Sequence, residues 1–377
     1  MDHKRIAILG TSNSIMRAGW ASFFKTIAPK NWVIDNLSLG GNCAIFMPGQ
    51  CDAYSVASNY DICIIELPIN DQRYIDTGHF RNEYFAATIA GLLAKLTARD
   101  GKCIPVVLSL PKRSDMAAPS YFGSCETILS RVCAAFGVRL FDVGASIRAA
   151  SFTTQRKTDD FFSDQLHLLP SVQRHVASAV LRLIDGGLGR PAGCSDNLGA
   201  HVPNFRTVMV SDLVPADRLS RRETSLSGFD VVRLEVGEEL SIPARGFFCG
   251  ILHWADQSVG EIQVSSGGQR SVRKLLRKEW PGGIFFFTHL QHAMFCNDKI
   301  LLTSESGKNC ALEPSINSSR NSPEGTPINE IAYAVFCDED PDQSGRDLLE
   351  AMVSEPSMGM MSFDPMLTNQ LRVIPLS

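Results

Sequence analysis

A chain of 377 residues with 44% hydrophobic and 20% charged residues carries enough apolar material for two separately cored domains, which excludes a disordered or low-complexity protein. Its 36 basic and 40 acidic residues leave a net charge of -4, which excludes a broad electrostatic footprint for nucleic acid or for an anionic membrane surface. Eleven cysteines, an odd number without a single C-x-x-C pair, argue against both a disulfide framework and a structural zinc site and read as reduced, mostly buried thiols.

The opening Met-Asp-His-Lys-Arg leads into an apolar run too short for a signal peptide, and no run of about eighteen apolar residues follows, so a cytoplasmic location without a membrane span is expected. Ile6 to Leu9 reads as a strand that passes straight into the hydroxyl-rich turn Gly10-Thr11-Ser12-Asn13-Ser14. Beyond it Ile15, Met16, Trp20, Phe23, Phe24 and Ile27 recur at helical spacing and predict one buried helix face. A serine at such a strand-to-helix switch sits at the mouth of a sheet, a good place for a nucleophile and an equally good place for an ordinary helix cap.

Apolar runs at 32–37, 62–67, 103–110 and 139–143 predict four further strands, and the intervening patterns predict helices over 82–96, 126–136 and 170–184. This alternation predicts a parallel sheet covered by helices on both faces. Such sheets bind ligands outside the carboxyl ends of their strands, and Ser12, Gly41 and Asn70 each fall just past one.

Gly186-Gly187-Leu188-Gly189-Arg190-Pro191 breaks the pattern, so the chain divides into an α/β domain at 1–187, a linker at 188–204 and a second domain at 205–377. The runs 229–236, 247–254, 261–265, 284–290, 299–303 and 330–336 are short, β-branched or aromatic, and predict an all-β sandwich. Phe247, Phe248, Trp254, Phe285, Phe286 and Phe287 are expected to fill the sandwich core, with stacking on sugar rings as the alternative. Arg270, Arg273, Lys274, Arg277 and Lys278 read as a solvated basic face. A polar loop at 309–327, a short helix at 347–352 and an extended tail complete the chain.

Serine acyl transfer requires a base near the hydroxyl, a group that orients the base, and donors for the developing oxyanion. Asp164-Gln165-Leu166-His167 follows the fifth strand, and its three-residue spacing lets the carboxylate reach the imidazole. On that reading Asp164 holds Nδ1 of His167, Nε2 takes the proton of Ser12, and the N–H groups of Ser12 and Gly41 with the amide of Asn70 form the oxyanion hole. Plainer readings stand beside it: Gly40-Gly41 as turn glycines, Asn70-Asp71 as a helix-start or turn pair, Asp164 as a helix cap with His167 at the surface. Ser14 is a rival nucleophile, and a second Asp-x-x-His, Asp76 to His79, follows Asn70. Asn13, Ser14 and His79 are candidate substrate contacts. There is no G-x-S-x-G elbow, P-loop, G-x-G-x-x-G or H-E-x-x-H.

Gly10-x-Ser12, Gly41-Asn42, Asn70-Asp71 and Asp164-x-x-His167, taken in order, resemble the four blocks of the SGNH (GDSL-type) hydrolases, with Thr11 in place of the aspartate that commonly precedes the serine. The resemblance covers the first 187 residues only. It implies a three-layer α/β/α fold with a flavodoxin-like sheet, Ser12 as nucleophile, Gly41 and Asn70 as oxyanion donors, Asp164 and His167 completing the triad, and neither metal nor organic cofactor. It further implies a serine esterase, in a family whose members act on lipid, aryl and carbohydrate esters and some of which transfer acyl groups; the expected substrate is an O-acyl, above all O-acetyl, ester. By analogy the appended sandwich points to a carbohydrate or polysaccharide ester. The alternatives are a carbohydrate O-acyltransferase using the same triad and a non-catalytic polysaccharide-binding protein. The oligomeric state is left open.

Overall fold

The computed structural model describes residues 3–98, 101–116, 124–194, 196–275, 282–305, 326–354 and 365–372. Five strands, β1 (Arg5–Leu9), β2 (Val33–Asn36), β3 (Ile62–Leu67), β4 (Ile104–Ser109) and β5 (Arg139–Asp142), form one sheet in the order β2-β1-β3-β4-β5. Every pair in it is parallel, and β3 is buried along its whole length, as a strand covered on both faces must be. Alternation divides each strand between two cores. Ile6, Ile8, Ile64 and Val106 pack with the helices Trp20–Ile27, Val143–Thr154 and Pro170–Asp185, whereas Ala7, Leu9, Cys63 and Val107 face Met47–Ala53, Asn82–Thr97 and Cys125–Ala135. The result is the expected three-layer α/β/α half with its order reversal between β1 and β3, where such sheets open a crevice.

The helix predicted over 15–27 is broken. Ser12–Ile15 and Trp20–Ile27 are separate, because the chain doubles back so tightly at Gly19 that a Cβ there would lie 2.1 Å from the carbonyl of Asn13. Only Trp20, Ala21 and Phe24 of the second helix are buried, while Ile15 (41% exposed) and Ile27 face water. The helix Ile69–Asp76 answers to the helix-start reading of Asn70-Asp71, whereas Val143–Thr154 has no counterpart in the expected elements.

The second half is all antiparallel. Strands β6 (Phe205–Met209), β7 (Leu219–Glu223), β8 (Gly228–Glu235), β9 (Glu239–Pro243), β10 (Gly246–Ala255), β11 (Glu261–Ser266), β12 (Gln269–Lys274), β13 (Ile284–Cys296), β14 (Lys299–Glu305) and β15 (Ile328–Cys337) make two sheets. One runs β13-β10-β15-β8-β7 with β6 also on β15, and the other β12-β11-β14-β9. Phe248, Ile251, Leu234, Ile262, Leu302 and Phe336 fill the space between them. The aromatics divide differently from the expectation: Trp254, Phe285 and Phe287 leave the sandwich core and pack with Phe46, Tyr84 and Phe85 of the α/β half. Phe229 sits at the centre of that seam, edge-on to Tyr54, Phe285 and Tyr333 at 4.9–5.7 Å between ring centroids.

The end of the chain returns to the α/β half. The short helix expected at 347–352 spans Pro341–Ser354 and packs on Asn82–Thr97, so closely that a Cβ at Gly345 would meet the carbonyl oxygen of Glu83 at 1.8 Å. A further helix, Pro365–Leu371, lies on Val143–Thr154 and Pro170–Asp185. Arg277, Lys278 and most of the polar loop, 309–325, lie outside the described residues. No described helix is long and apolar enough to cross a membrane.

His289 on β13 is buried in the seam between the halves. Its Nε2 donates to the carbonyl of His79 at 2.9 Å, and its Nδ1 faces the Cys43 thiol at 3.7 Å. Burial first, then the nearby Arg273 guanidinium, push its pKa down to about 3. A histidine held neutral in the fold contributes stability above its unfolded pKa of about 6.5 and loses it as pH falls toward the folded value. At pH 5 that loss is about 2 kcal/mol. The difference in unfolding free energy between the native chain and His289→Gln is therefore expected to shrink by that amount between pH 7.5 and pH 5 in urea titrations. A difference that stays constant over this interval would show that His289 is not the titrating group.

Candidate active site

The turn after β1 is fixed from beneath by a carboxylate. Glu66, on β3 and fully buried, accepts from the Thr11 N–H at 2.9 Å, the Thr11 hydroxyl at 3.0 Å and the Ser14 hydroxyl at 2.9 Å. Burial pushes its pKa up, and these donors pull the other way. A threonine at position 11 suits this environment, since an aspartate there would set a second negative charge against Glu66 where a hydroxyl now donates. Ser14, the rival nucleophile, is buried with its hydroxyl given to Glu66.

Asn13 points inward as well. Its Nδ2 donates to the Leu166 carbonyl at 3.0 Å, and its Oδ1 accepts from Gln173 Nε2 at 2.5 Å, while Gln173 Oε1 accepts from the Trp20 N–H at 3.0 Å. Asn13 and Ser14 are candidate substrate contacts by sequence. Both are instead buried structural ties, a correction that follows from side chains already spent on protein partners. Ser12 alone of this run turns its side chain outward.

The Ser12 hydroxyl lies 2.9 Å from His167 Nε2, and His167 Nδ1 lies 2.8 Å and 2.9 Å from the two oxygens of Asp164. The loop that carries them is closed by a bridge between Phe162 and Leu168 and by the Ser163 N–H donating to the His167 carbonyl at 2.9 Å. Asp164 Oδ1 also accepts the N–H groups of Leu166 at 2.7 Å and His167 at 2.9 Å. Partial burial alone would raise the Asp164 pKa, but the Leu166 N–H and the imidazole hold it below the usual carboxylate range. The carboxylate is thus ionised and aimed, although its side chain is 55% exposed.

Gly41, past β2, has a φ of +75°, a conformation natural only to glycine, and its neighbours are held on every side. The Leu39 N–H donates to the Gly10 carbonyl at 3.0 Å, the Tyr74 hydroxyl to the Gly41 carbonyl at 3.2 Å, and Asn70 Nδ2 to the Asn42 carbonyl at 2.9 Å. Among the described residues the N–H groups of Ser12 and Gly41 make no hydrogen bond to protein. Asn70 is no loop residue, as it stands in the first turn of Ile69–Asp76. One of its two amide protons is used on Asn42, which leaves the other. Next to it Asp71 is buried and accepts from the Ala44 N–H at 2.6 Å, and burial pushes its pKa up to about 7. His79 lies half-buried; its carbonyl is bound by His289, and among the described residues its ring makes no bond to Ser12, His167 or Asp164.

Glu66, Gln173 and the link from Asn42 to the second half escaped sequence reading. A lone carboxylate inside Ile62–Leu67 and a glutamine among Val172 and Val176 were usable signals, because a polar group in an apolar stripe needs a buried partner. The bond between Asn42 and Phe287 spans 245 residues and had no such signal.

Glu66→Ala leaves two buried hydroxyls and one N–H without an acceptor, so a loss of about 3 kcal/mol of unfolding free energy is expected in chemical denaturation. Glu66→Gln keeps an acceptor oxygen and is expected to lose less than half as much. Equal losses would remove the carboxylate from this role.

Comparison with protein-family models and with curated proteins finds no match. Among solved structures the chain resembles a two-domain esterase active on acetylated mannans, at TM-score 0.61 and 13% identity over 89% of this chain and 92% of that one. A crystal of a two-domain esterase active on acetylated mannans with mannopentaose gives TM-score 0.58 at 14% identity over 89% and 91%. The chain therefore has the fold of that two-domain esterase, an α/β half followed by a β half.

Proposed function

We propose that this protein is a serine esterase that hydrolyses O-acetyl esters of a carbohydrate or polysaccharide through Ser12, His167 and Asp164. The observation that carries the reading is the unbroken chain from the Ser12 hydroxyl through both imidazole nitrogens to an ionised carboxylate, with bonds of 2.9 Å and 2.8 Å. His167 Nε2 takes the Ser12 proton as Oγ forms a bond to the ester carbonyl carbon. The carbonyl π electrons move onto its oxygen, where the N–H groups of Ser12 and Gly41 and the free amide proton of Asn70 receive the charge. Collapse breaks the bond to the sugar oxygen, which leaves with the proton from Nε2. Water, deprotonated by His167, then attacks acetyl-Ser12 and releases acetate and the free hydroxyl.

Hydrolysis is favoured over transfer to a second sugar by the half-exposed Asp164, since transfer requires a site that keeps water out. The carbohydrate and the acetyl group rest on the likeness to an esterase active on acetylated mannans. In this reading residues 1–187 supply the chemistry, 188–204 link, and the β half beyond 205 is accessory. A cytoplasmic location is supported by the ten described cysteines, all free thiols and nine of them buried.

Release of acetate from acetylated mannan and from p-nitrophenyl acetate tests the proposal. Ser12→Ala and His167→Ala are expected to lose at least about a thousandfold in kcat, whereas Ser14→Ala and His79→Ala stay within about tenfold of native. Turnover that survives in Ser12→Ala and disappears in Ser14→Ala would overturn the assignment of the nucleophile.

A further inference from the structure

Among the described residues the order of strands leaves β13 at the edge of its sheet, paired with β10 on one side only. An edge strand carries main-chain N–H groups that no neighbouring strand can take. One of them, at Phe287, donates to Asn42 Oδ1 at 2.7 Å, across the seam between the two halves. Asn42 is buried, and its Nδ2 donates at 3.0 Å to the carbonyl of Gly40.

That carbonyl belongs to the same planar peptide unit as the Gly41 N–H, and in a trans peptide the two point in opposite directions. Holding the Gly40 oxygen therefore fixes where the Gly41 proton points, and a donor on that oxygen polarises the N–H in the same sense. The two ends of the Asn42 amide are not interchangeable. The N–H of Phe287 requires an oxygen and the carbonyl of Gly40 requires a donor, so one orientation satisfies both. The next peptide is held from the same direction, because the Tyr74 hydroxyl that binds the Gly41 carbonyl belongs to a ring packed 5.5 Å from the His289 ring of β13.

We propose that Asn42 is a positioning residue through which the edge strand of the β half orients the Gly41 N–H toward the oxyanion. The β half is then a working part of the hydrolytic centre and not only a carrier of substrate. This inference rests on the esterase reading, with Gly41 as an oxyanion donor. An N–H misdirected in Asn42 variants weakens binding of the charged tetrahedral state while leaving the neutral ester bound as before, so the loss belongs to kcat and not to KM.

The test is steady-state hydrolysis of p-nitrophenyl acetate by the full chain and by three variants. Asn42→Ala is expected to lower kcat by about ten- to a hundredfold with KM within about twofold. Asn42→Asp keeps an acceptor for Phe287 and removes the donor to Gly40, so it is expected to show the same kcat loss, and it decides the matter where Asn42→Ala does not fold. Gln291→Ala removes another contact of the same strand, from Gln291 Nε2 to the Gly78 carbonyl at 2.7 Å, and is expected to leave kcat unchanged. Native kcat in folded Asn42→Ala or in Asn42→Asp overturns the proposal, as does an equal kcat loss in Gln291→Ala, which would mean that any loosening of the seam suffices. Labelling of Ser12 by a serine-reactive fluorophosphonate separates the two levels. A native chain neither labelled nor active sinks the esterase reading, whereas a labelled, active chain indifferent to Asn42 sinks the positioning role alone.

Discussion

The central strands of the larger sheet of the β half, β10 and β15, have no face left for water, and much of the molecule follows from that constraint. β15 is buried from Asn329 to Cys337, with Ile331, Ala334 and Phe336 turned to the sandwich core and Tyr333, Val335 and Cys337 to the α/β half. Exposing the second set by separating the halves would uncover Phe229, Phe285, Phe287 and Tyr333 together, and each such side chain is worth roughly 1.5–3 kcal/mol of burial. A module joined by a flexible linker would keep a polar face here. This one shares a single apolar cluster with its partner, which makes the relative placement of β13 and the loop after β2 a fixed property of the fold.

Within that frame a few buried polar groups do the positioning. Glu66 ties the turn after β1 to β3, Gln173 ties Asn13 and Trp20 to the last helix of the α/β half, and Asn13 ties the carbonyl of Leu166. Each is a group whose burial is costly unless its partners are in place, so the native arrangement is strongly preferred over near alternatives. Ser12 and His167 are 155 residues apart and meet because the groups flanking them are bonded in this way. The serine itself needs no special strain.

The sequence made the parallel sheet legible, because runs such as Ile62–Leu67 are too apolar for a strand with one wet face. The same logic applied to the run from Ile331 to Cys337 points to a strand covered twice, but a short aromatic strand fits a plain sandwich equally well, which is why the aromatics at 254, 285 and 287 read as sandwich core and yet lie on the other face. Three of the four site blocks were readable since each lies at or just past a strand end where the fold concentrates function, whereas Asp164 and His167 lie in the loop ahead of Pro170–Asp185. What escaped was whatever depends on side-chain direction. Ser14 and Asn13 differ from Ser12 only in which way a tight turn aims them, and the break at Gly19 that sets this turn arises from one close approach to the Asn13 carbonyl. Helical periodicity carries no trace of such a contact, which is why Ile15 was counted as core and lies exposed.

The two sides of the candidate site are built to different tolerances. On one side the peptide units around Gly41 are held by Tyr74, Asn42 and Asn70, all buried, and by Phe287 from across the seam. On the other, Asp164 and His167 ride a tight surface loop whose carboxylate is open to water and whose bonds to the rest of the fold are chiefly main-chain. The proposed chemistry asks for this asymmetry. Donors for a transient negative charge act through being already in place, so any freedom they keep is lost from the barrier. The base has to receive a proton from serine, pass it to a departing alcohol and then take another from water, three partners at slightly different positions. Rigidity on the first side and solvent access on the second are therefore complementary demands, and the doubly buried centre of the larger β sheet meets the first while leaving the other edge of the crevice open.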